Sequence, residues 1–598
     1  MAPQLGNFGS HFLARGTPVP GEATAGDHLQ AEYHLWLVGH QLSSFASPLR
    51  DPYTFQPESP PRWNFGGWPF GLPFWPLDAI FGHVVGWNLF LLLTYLAAGA
   101  FTYLWLRSLG LPRGAALAGG LVFALAPYRV AQSAGHLRGP VSALLPLALW
   151  AFERSRHEWG WWLAGAAAAL ASIPFSDVHL ALGAVPFFLL YGLCRGGRFD
   201  AVSATAPAVG TALLVGHFST TGIGAGGRSL REVSRYSASG LDFVTRHPRD
   251  GLESFVFLGW LTPLVAIAGL VLLLLARRYG LALALGVGAL VPIVLAFGTR
   301  FPLYEPLWHH FPPLRYPRVP ERQLPVACLA IAALVAFAIA QLRWRIAVVV
   351  AVALLAADLR VDIYEAAAAG PGNRAYAPLR AAPDKRLLEL PVFDPSVHLG
   401  SLYLYYDQEA RLERPGGYST IAPDEAARLA LRLQPLNCGE WRAGTNELLR
   451  GIGVDYIAFH RGLTGRLGWF AWRGLAEHRF GPIARDGAVT MLQRNAGVAP
   501  SPVPEPQRRI VFCQNWNDGR PRFSHAALWA RGRRLQAVLR SREPVSVSFN
   551  SDGRHARTIR LDGPERVGVP LGPAGWHLVT VDADRPGTGL RLESVSAR

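Results

Sequence analysis

Between Gly86 and Asp358 the sequence is a succession of about ten long apolar runs separated by short polar turns. A helix that crosses the hydrocarbon core of a bilayer needs about 20 mostly apolar residues. The runs fall at about 86–106, 114–130, 139–153, 160–175, 178–194, 201–218, 255–276, 280–298, 323–342 and 344–358. A packed soluble core could imitate one or two of them, but not ten in a row with charged punctuation. Only 16% of the residues are charged and 50% are hydrophobic, whereas soluble domains carry about 25% charge. A plain cytoplasmic enzyme, a disordered chain and a secreted disulfide scaffold are thereby excluded. The pattern predicts a polytopic α-helical membrane protein over residues 86–358, followed after Arg360 by a stretch of ordinary soluble composition.

The turns give an orientation. Every second one holds an arginine pair: Arg107 and Arg113, Arg154 and Arg156, Arg195 and Arg198, Arg277 and Arg278, Arg343 and Arg345. Short loops rich in Lys or Arg stay on the cytoplasmic side. The other side then receives residues 1–85, the turn 128–138, the turn 175–177, the long loops 219–254 and 299–322, and everything after Asp358. The predicted location is the plasma (inner) membrane, multi-pass, with the C-terminal domains extracytoplasmic. Residues 1–70 hold no spanning run and no signal peptide. Either the first span enters from outside by itself or a leading helix is missing upstream; the second alternative delivers the N-terminal segment outward more simply.

The formal charge of +16 comes from 57 Lys+Arg against 41 Asp+Glu, and Lys385 is the single lysine. Nucleic-acid binding would suit such a chain, but much of the arginine has a topological use, so no nucleic-acid partner is expected. Arg228, Arg231, Arg235, Arg315, Arg318 and Arg322 lie instead in the long outer loops. There they suggest anion recognition, unless long loops simply escape the charge rule. Cys438 and Cys513 could pair, which sequence cannot decide, and no zinc-ligand spacing occurs.

The segment Gly26-Asp27-His28-Leu29-Gln30-Ala31-Glu32-Tyr33-His34-Leu35-Trp36 leads into His40. Leu29, Tyr33, Trp36, Leu37 and His40 recur at helical spacing, with Asp27 where an N-cap would sit. This predicts an amphipathic helix lying flat at the membrane interface, with an aromatic, proline-broken stretch (Trp63, Trp68, Phe70, Phe74, Trp75) after it. Gly26-Asp27 with the Trp36 and His40 spacing resembles the first outer loop of GT-C membrane glycosyltransferases and of the large bacterial membrane proteins related to them. Further matching stretches are Ala126-Pro127-Tyr128-Arg129, Gly135-His136-Leu137, Phe175-Ser176-Asp177, Arg228-Ser229-Leu230-Arg231-Glu232, Tyr236-Ser237-Ala238, Phe257-Leu258-Gly259-Trp260, Leu314-Arg315-Tyr316-Pro317-Arg318 and Gly453-Val454-Asp455-Tyr456-Ile457. The resemblance covers roughly residues 26–465. It departs from the family in lacking the first transmembrane helix that precedes the acidic loop.

The resemblance implies a transferase that moves a sugar from a polyprenyl-phosphate carrier in the membrane lipid to a glycan, lipid or protein acceptor of the cell envelope, on the outer face. The family's catalytic acid then corresponds to Asp27. A carboxylate suits this chemistry because the acceptor hydroxyl must lose its proton as it attacks the anomeric carbon. The leaving lipid phosphate calls for guanidinium groups and leaves room for a divalent cation as cofactor. Arg315, Arg318 and Arg322, just before the span at Gln323, are the expected clamps, and His136 and Asp177 the expected substrate-binding groups. Each has a plainer alternative: Asp27 and Asp177 as helix caps, His136 as a structural imidazole, the arginines as headgroup contacts. Glu32, five residues beyond Asp27, points elsewhere on the same helix and stays outside this catalytic set. A second reading keeps the architecture without the chemistry, as a scaffold or exporter component of envelope assembly.

No phosphate-binding G-x-x-x-x-G-K-[ST] loop appears, and the glycine-rich run Gly222–Gly227 reads as a flexible loop. Beyond residue 381 the pattern becomes a small α/β domain over 381–498: strand 387–392, helices 422–434 and 446–452, strand 454–459. After the proline-rich break 499–506, alternating stretches with Asp-Gly turns over 507–598 predict a small β-sandwich.

Overall fold

The computed structural model describes residues 6–58, 60–158, 160–219, 227–248, 252–368, 372–381, 385–513, 525–585 and 590–598. The chain forms two compact units: Met1–Pro18, Ala23–Pro52 and Pro61–Pro371 make the first; Val19–Glu22, Tyr53–Pro60 and Gly372–Arg598 make the second. The glycine-rich residues 222–226 lie outside the described residues.

In the first unit, strand β1 (His11–Ala14) pairs antiparallel with a later strand, Glu365–Ala368. The helices are α1 (Asp27–Ser43), α2 (Gly71–Ser108), α3 (Arg113–Ala124), α4 (Pro127–Ser133), α5 (Arg138–Val141), α6 (Leu144–Ser155), α7 (Trp161–Ser176), α8 (Val178–Cys194), α9 (Arg198–Ser219), α10 (Leu230–Arg235), α11 (Leu261–Leu275), α12 (Tyr279–Ala296), α13 (Tyr304–His310), α14 (Leu324–Ile339) and α15 (Arg345–Asp358). Every apolar run is occupied by helix, and every arginine pair falls at or beside a helix end.

Four helical stretches are long and apolar enough to cross a membrane: Gly71–Ser108, Arg198–Phe218, Tyr279–Ala296 and Pro320–Ile339. A fifth arises if α3 and α4, bent by 46° at their junction, count as one. The remaining runs are shorter than about 20 residues: α6 has 12, α7 16, α8 17, α11 15 and α15 14. Two runs are shortened for local reasons. The run 139–153 is split between α5 and α6, and that at 255–276 turns helical only at Leu261, after Gly259 in a left-handed conformation (φ 95°).

α14 is apolar all round, and 89% of its span is covered by protein. It packs against α3, α11 and α12, which together enclose it. The surrounding helices turn leucine and valine outward instead: Leu96, Leu117, Leu213, Leu264, Leu290 and Val349 are all exposed. Such a surface suits lipid, since contiguous apolar area of this extent is rare on soluble proteins. Asp358, at the end of α15, accepts hydrogen bonds from the backbone nitrogens of Trp260 (2.8 Å), Leu261 (3.1 Å) and Thr262 (2.9 Å), and so caps α11 from outside its own sequence. A Cβ on Gly259 would come within 2.4 Å of that carboxylate, which explains the glycine.

In the second unit, strands Arg386–Leu390, Val454–His460, Val489–Arg494 and Phe480–Asp486 lie side by side in that order. The first pair is parallel and the others antiparallel. Helices Asp424–Leu433, Thr445–Gly451 and Gly468–Glu477 pack on it. Two short N-terminal stretches are woven into this unit. The 53–56 segment runs beside 414–416, with Phe55 N bonded to Gly416 O and Arg414 N to Tyr53 O. Glu22 Oε2 and His460 Nδ1, both fully buried, lie 2.6 Å apart. Arg414, also fully buried, bridges Glu389 and Asp407. Cys438 and Cys513 are both free thiols.

The C-terminal strands hydrogen-bond into one six-stranded sheet rather than the two sheets of a simple sandwich. Its core still closes because the long strand His525–Arg540 has a register break at Gly532/Arg534. Ala526, Leu528 and Ala530 face the core before the break and Leu535, Ala537 and Leu539 after it. The inserted residue reverses the alternation and keeps both halves on the same core.

Candidate active site

Asp27 is the first residue of α1, and the cap position is occupied by Gly26. Gly26, having no side chain, makes no side-chain capping bond. The Asp27 carboxylate is one-third exposed and faces the His136 imidazole, with Oδ2 3.2 Å from Nε2. Gly135 lies against this pair: a Cβ there would make an ordinary van der Waals contact of 3.6 Å with the Asp27 Cβ. The neighbouring His28 is fully buried, and burial pushes its pKa down to about 4, so it stays neutral beside the carboxylate.

α1 itself departs from expectation. His28, Leu29, Glu32, Tyr33, Leu35, Leu37 and Val38 are all buried, which no single helix face could account for. It is covered on most sides by the first unit rather than lying flat with one apolar face. Close packing on the start of α2 is the reason: a Cβ on Gly39 would overlap the Trp75 ring, and one on Gly71 would overlap Val38.

Asp177 breaks the chain between α7 and α8 and does two things at once. Its Oδ1 accepts from the backbone nitrogens of His179 (2.9 Å) and Leu180 (3.0 Å), capping α8. Its Oδ2 lies 2.8 Å from Arg138 Nε, in a pair only 4% and 8% exposed. Burial opposes the charged carboxylate, but Arg138, His179 and Arg322 overcome it and hold the Asp177 pKa below the ordinary carboxylate range. Arg138 also donates to Gln132 Oε1 at 2.7 Å.

The turn 136–138 therefore serves both acidic residues: His136 reaches Asp27 and Arg138 reaches Asp177. Two residues of chain span at most about 7 Å, so the two carboxylates are fixed to one short piece of backbone.

The arginines divide. Arg322 Nη1 lies 3.5 Å from His179 Nδ1, and its Nη2 3.7 Å from Glu253 Oε1. Arg318 Nη2 is 3.2 Å from the same oxygen. Both thus join the Asp177 cluster through His179 and Glu253. Arg315 does not, because its guanidinium is spent on its own loop, donating to the carbonyls of Trp308 (3.1 Å) and His309 (2.5 Å). Glu321, fully buried beside them, has neither carboxylate oxygen hydrogen-bonded among the described residues. A cleft of 230 Å³ lined by His179, Tyr304, Leu314, Pro317, Arg322 and Gln323 opens at this end. That volume includes open solvent, and the space between the side chains does not admit a water molecule, so the cleft is a narrow notch.

Sequence reasoning missed Arg138, Gln132 and Glu253. Arg138 had a signal, an arginine in a short outer turn where the charge rule puts none. Glu253 had none, since it lies 65 positions away from Arg318 in the sequence. For the divalent cation, Asp27 and Asp177 do not fit. Among the described residues the one group bringing three metal-ligating atoms together is Glu32, Asp78 and His83.

No family model and no curated protein matches the chain. Solved structures do resemble it in fold. The arabinofuranosyltransferase AftD from Mycobacteria aligns at 13% identity and TM-score 0.49 over 97% of this chain and 59% of its own. The oligosaccharyltransferase of Archaeoglobus fulgidus aligns at 11% identity and TM-score 0.42 over 98% and 94%. ArnT from Cupriavidus metallidurans aligns at 14% identity and TM-score 0.34 over 84% and 98%. Two of the three are named as sugar-chain transferases, an arabinofuranosyltransferase and an oligosaccharyltransferase. The chain spans about three fifths of the length of the mycobacterial protein. At these scores the likeness carries no weight on chemistry, which has to come from the chain's own residues.

Proposed function

We propose that this chain is an integral membrane glycosyltransferase-like protein that takes a sugar from a polyprenyl-phosphate carrier and transfers it to a cell-envelope acceptor on the outer face of the membrane. The observation that supports this reading best is the shared turn, which ties a part-exposed carboxylate, Asp27, and a buried, charge-compensated one, Asp177, to the same backbone. Asp27 is the base: an acceptor hydroxyl attacks the anomeric carbon, its proton passes to the Asp27 carboxylate, and the bond from that carbon to the phosphate oxygen breaks. His136 holds the carboxylate in place. Arg318 and Arg322, which lie 3.2 and 3.7 Å from Glu253, exchange that partner for the departing phosphate. Asp177 has a positioning role, through Arg138 and through the cap on α8.

In this reading the roughly ten apolar runs lie in the plasma (inner) membrane, the arginine turns face the cytoplasm, and the α/β domain (381–498) and the β domain (507–598) are extracytoplasmic. The second reading, a non-enzymatic scaffold or exporter component, is favoured by the small volume of the cleft and by Arg315 being committed to backbone carbonyls. Sugar transfer from a labelled polyprenyl-phosphate donor in membranes carrying the chain separates the two. Transfer is expected with the unaltered chain and a fall of about 10²–10⁴-fold for Asp27→Asn, the usual contribution of general base catalysis. Equal transfer by Asp27→Asn removes Asp27 from the mechanism, and no transfer above empty membranes favours the scaffold.

A further inference from the structure

The chemistry above makes no use of Glu32, Asp78 and His83, although the fold goes to some length to gather them. α2 is two helices joined at Gly82, whose left-handed conformation (φ 77°) turns the chain sharply. The turn brings Gly86 so near Asp78 that a Cβ would lie 3.0 Å from the Asp78 Cα. Asp78 and His83, on either side of the turn, meet in this way: His83 Nδ1 is 2.7 Å from Asp78 Oδ1. Glu32 arrives from α1, which the Gly39 and Gly71 contacts press against the same segment, and its Oε1 lies 3.3 Å from the same nitrogen. Glu32 is fully buried, Asp78 is 12% exposed and His83 31% exposed.

Two carboxylates and one imidazole carry a net negative charge even when the imidazole is protonated. That sign of charge suits a divalent cation. One ligand atom from each residue lies within 4.8 Å of the others. A tetrahedral ion with bonds of about 2.1 Å has ligand–ligand edges of about 3.4 Å, against the 2.7 and 3.3 Å that separate His83 Nδ1 from Asp78 and Glu32. One nitrogen and two carboxylate oxygens form a donor set suited to zinc and its neighbours. The imidazole is 31% exposed, which leaves the cluster reachable from solvent.

We infer that Glu32, Asp78 and His83 form a binding site for a divalent transition-metal ion of the zinc class, which clips α1 to the Gly82 turn. The site is separate from the Asp27–His136 pair and does not depend on the sugar-transfer reading. Its consequence for the first unit is positional: Glu32 lies five residues, about 7.5 Å of helix, beyond Asp27, so the ion fixes the helix on which Asp27 is carried.

The test is metal analysis of the full chain, purified in detergent through a tag without histidines and without chelator. About one zinc-class ion per chain is expected. Glu32→Gln and His83→Ala should each lower its affinity by more than the 10–100-fold that loss of an outer supporting group brings, while Asp27→Asn should retain it. In the same preparation, EDTA should lower the melting temperature of the unaltered chain and added zinc should restore it, with neither affecting His83→Ala. An unaltered chain without metal and without a melting response to zinc would show that the three groups are an imidazolium held between carboxylates, and would overturn the site. Retention of the ion by His83→Ala, or its loss in Asp27→Asn, would place it elsewhere and do the same. If Glu32→Gln fails to fold, the zinc response of the unaltered chain decides alone.

Discussion

Replacing Asp177 by asparagine leaves an amide oxygen able to cap α8 but removes the charge that faces Arg138. At 2.8 Å and an effective dielectric constant of about 20, the bare attraction is about 6 kcal/mol. Much of it offsets the desolvation of two groups that are 4% and 8% exposed. Stranding Arg138 without its partner should cost about 3–5 kcal/mol. Asp177→Ala should cost about 1 kcal/mol more, because the bonds to His179 and Leu180 then go as well. The discriminating assay is a double-mutant cycle of Asp177→Asn and Arg138→Gln, read by denaturation of the full chain in mixed micelles. A coupling of about 2–3 kcal/mol is expected, with the double variant less destabilised than the sum of the singles. Additivity within about 0.5 kcal/mol would mean that the pair is not coupled, and the account of the shared turn as a rigid support would fail with it.

Other outcomes follow from the same reasoning. Asp358→Ala should lower stability by about 1–2 kcal/mol by uncapping α11, and Gly259→Ala should be at least as damaging because its methyl would meet the same carboxylate; thermal melts of both variants check this. Arg414→Met should cost about 3–5 kcal/mol, since it strands the buried Glu389 and Asp407 together, and limited proteolysis should then cut the second unit faster. His525 has its pKa raised to about 9 by Asp582 and Glu440. Because that lies above the ordinary 6.5, its stabilising contribution is complete below pH 6.5 and disappears as pH rises through 9. Screening at this part-exposed site limits it to about 1 kcal/mol, and a pH series of melts should show the decline in the unaltered chain and not in His525→Gln.

Local features of the sequence were read correctly where the physics is local. An apolar run between arginine turns is helical whatever it packs against, which is why α14 and its neighbours stand where the sequence places them. Asp27 is harder. The N-cap rule puts it one residue out, and the fold gives it a partner, His136, that only tertiary structure can supply. The one-faced reading of α1 fails because periodicity reports the side with the largest residues, whereas Gly39 and Gly71 let a second helix cover the other side. Arg315 and Arg318 are three residues apart and look equivalent as sequence. One turns to carbonyls of its own loop and the other to Glu253, a difference set by distant chain. The reversal of alternation at Gly532/Arg534 is equally invisible to a strict two-residue period.

The way Val19–Glu22 and Tyr53–Pro60 are stitched into the second unit has a practical corollary. A fragment starting at Gly372 would lack Phe55, which packs on Gly417, and Glu22, which meets His460. It would expose an apolar slot and an uncompensated histidine, so such a piece should express as an unstable or aggregating product. Co-expression with a peptide spanning residues 19–60 should rescue it, and a single proteolytic nick near residue 371 should leave the two halves of the polypeptide associated.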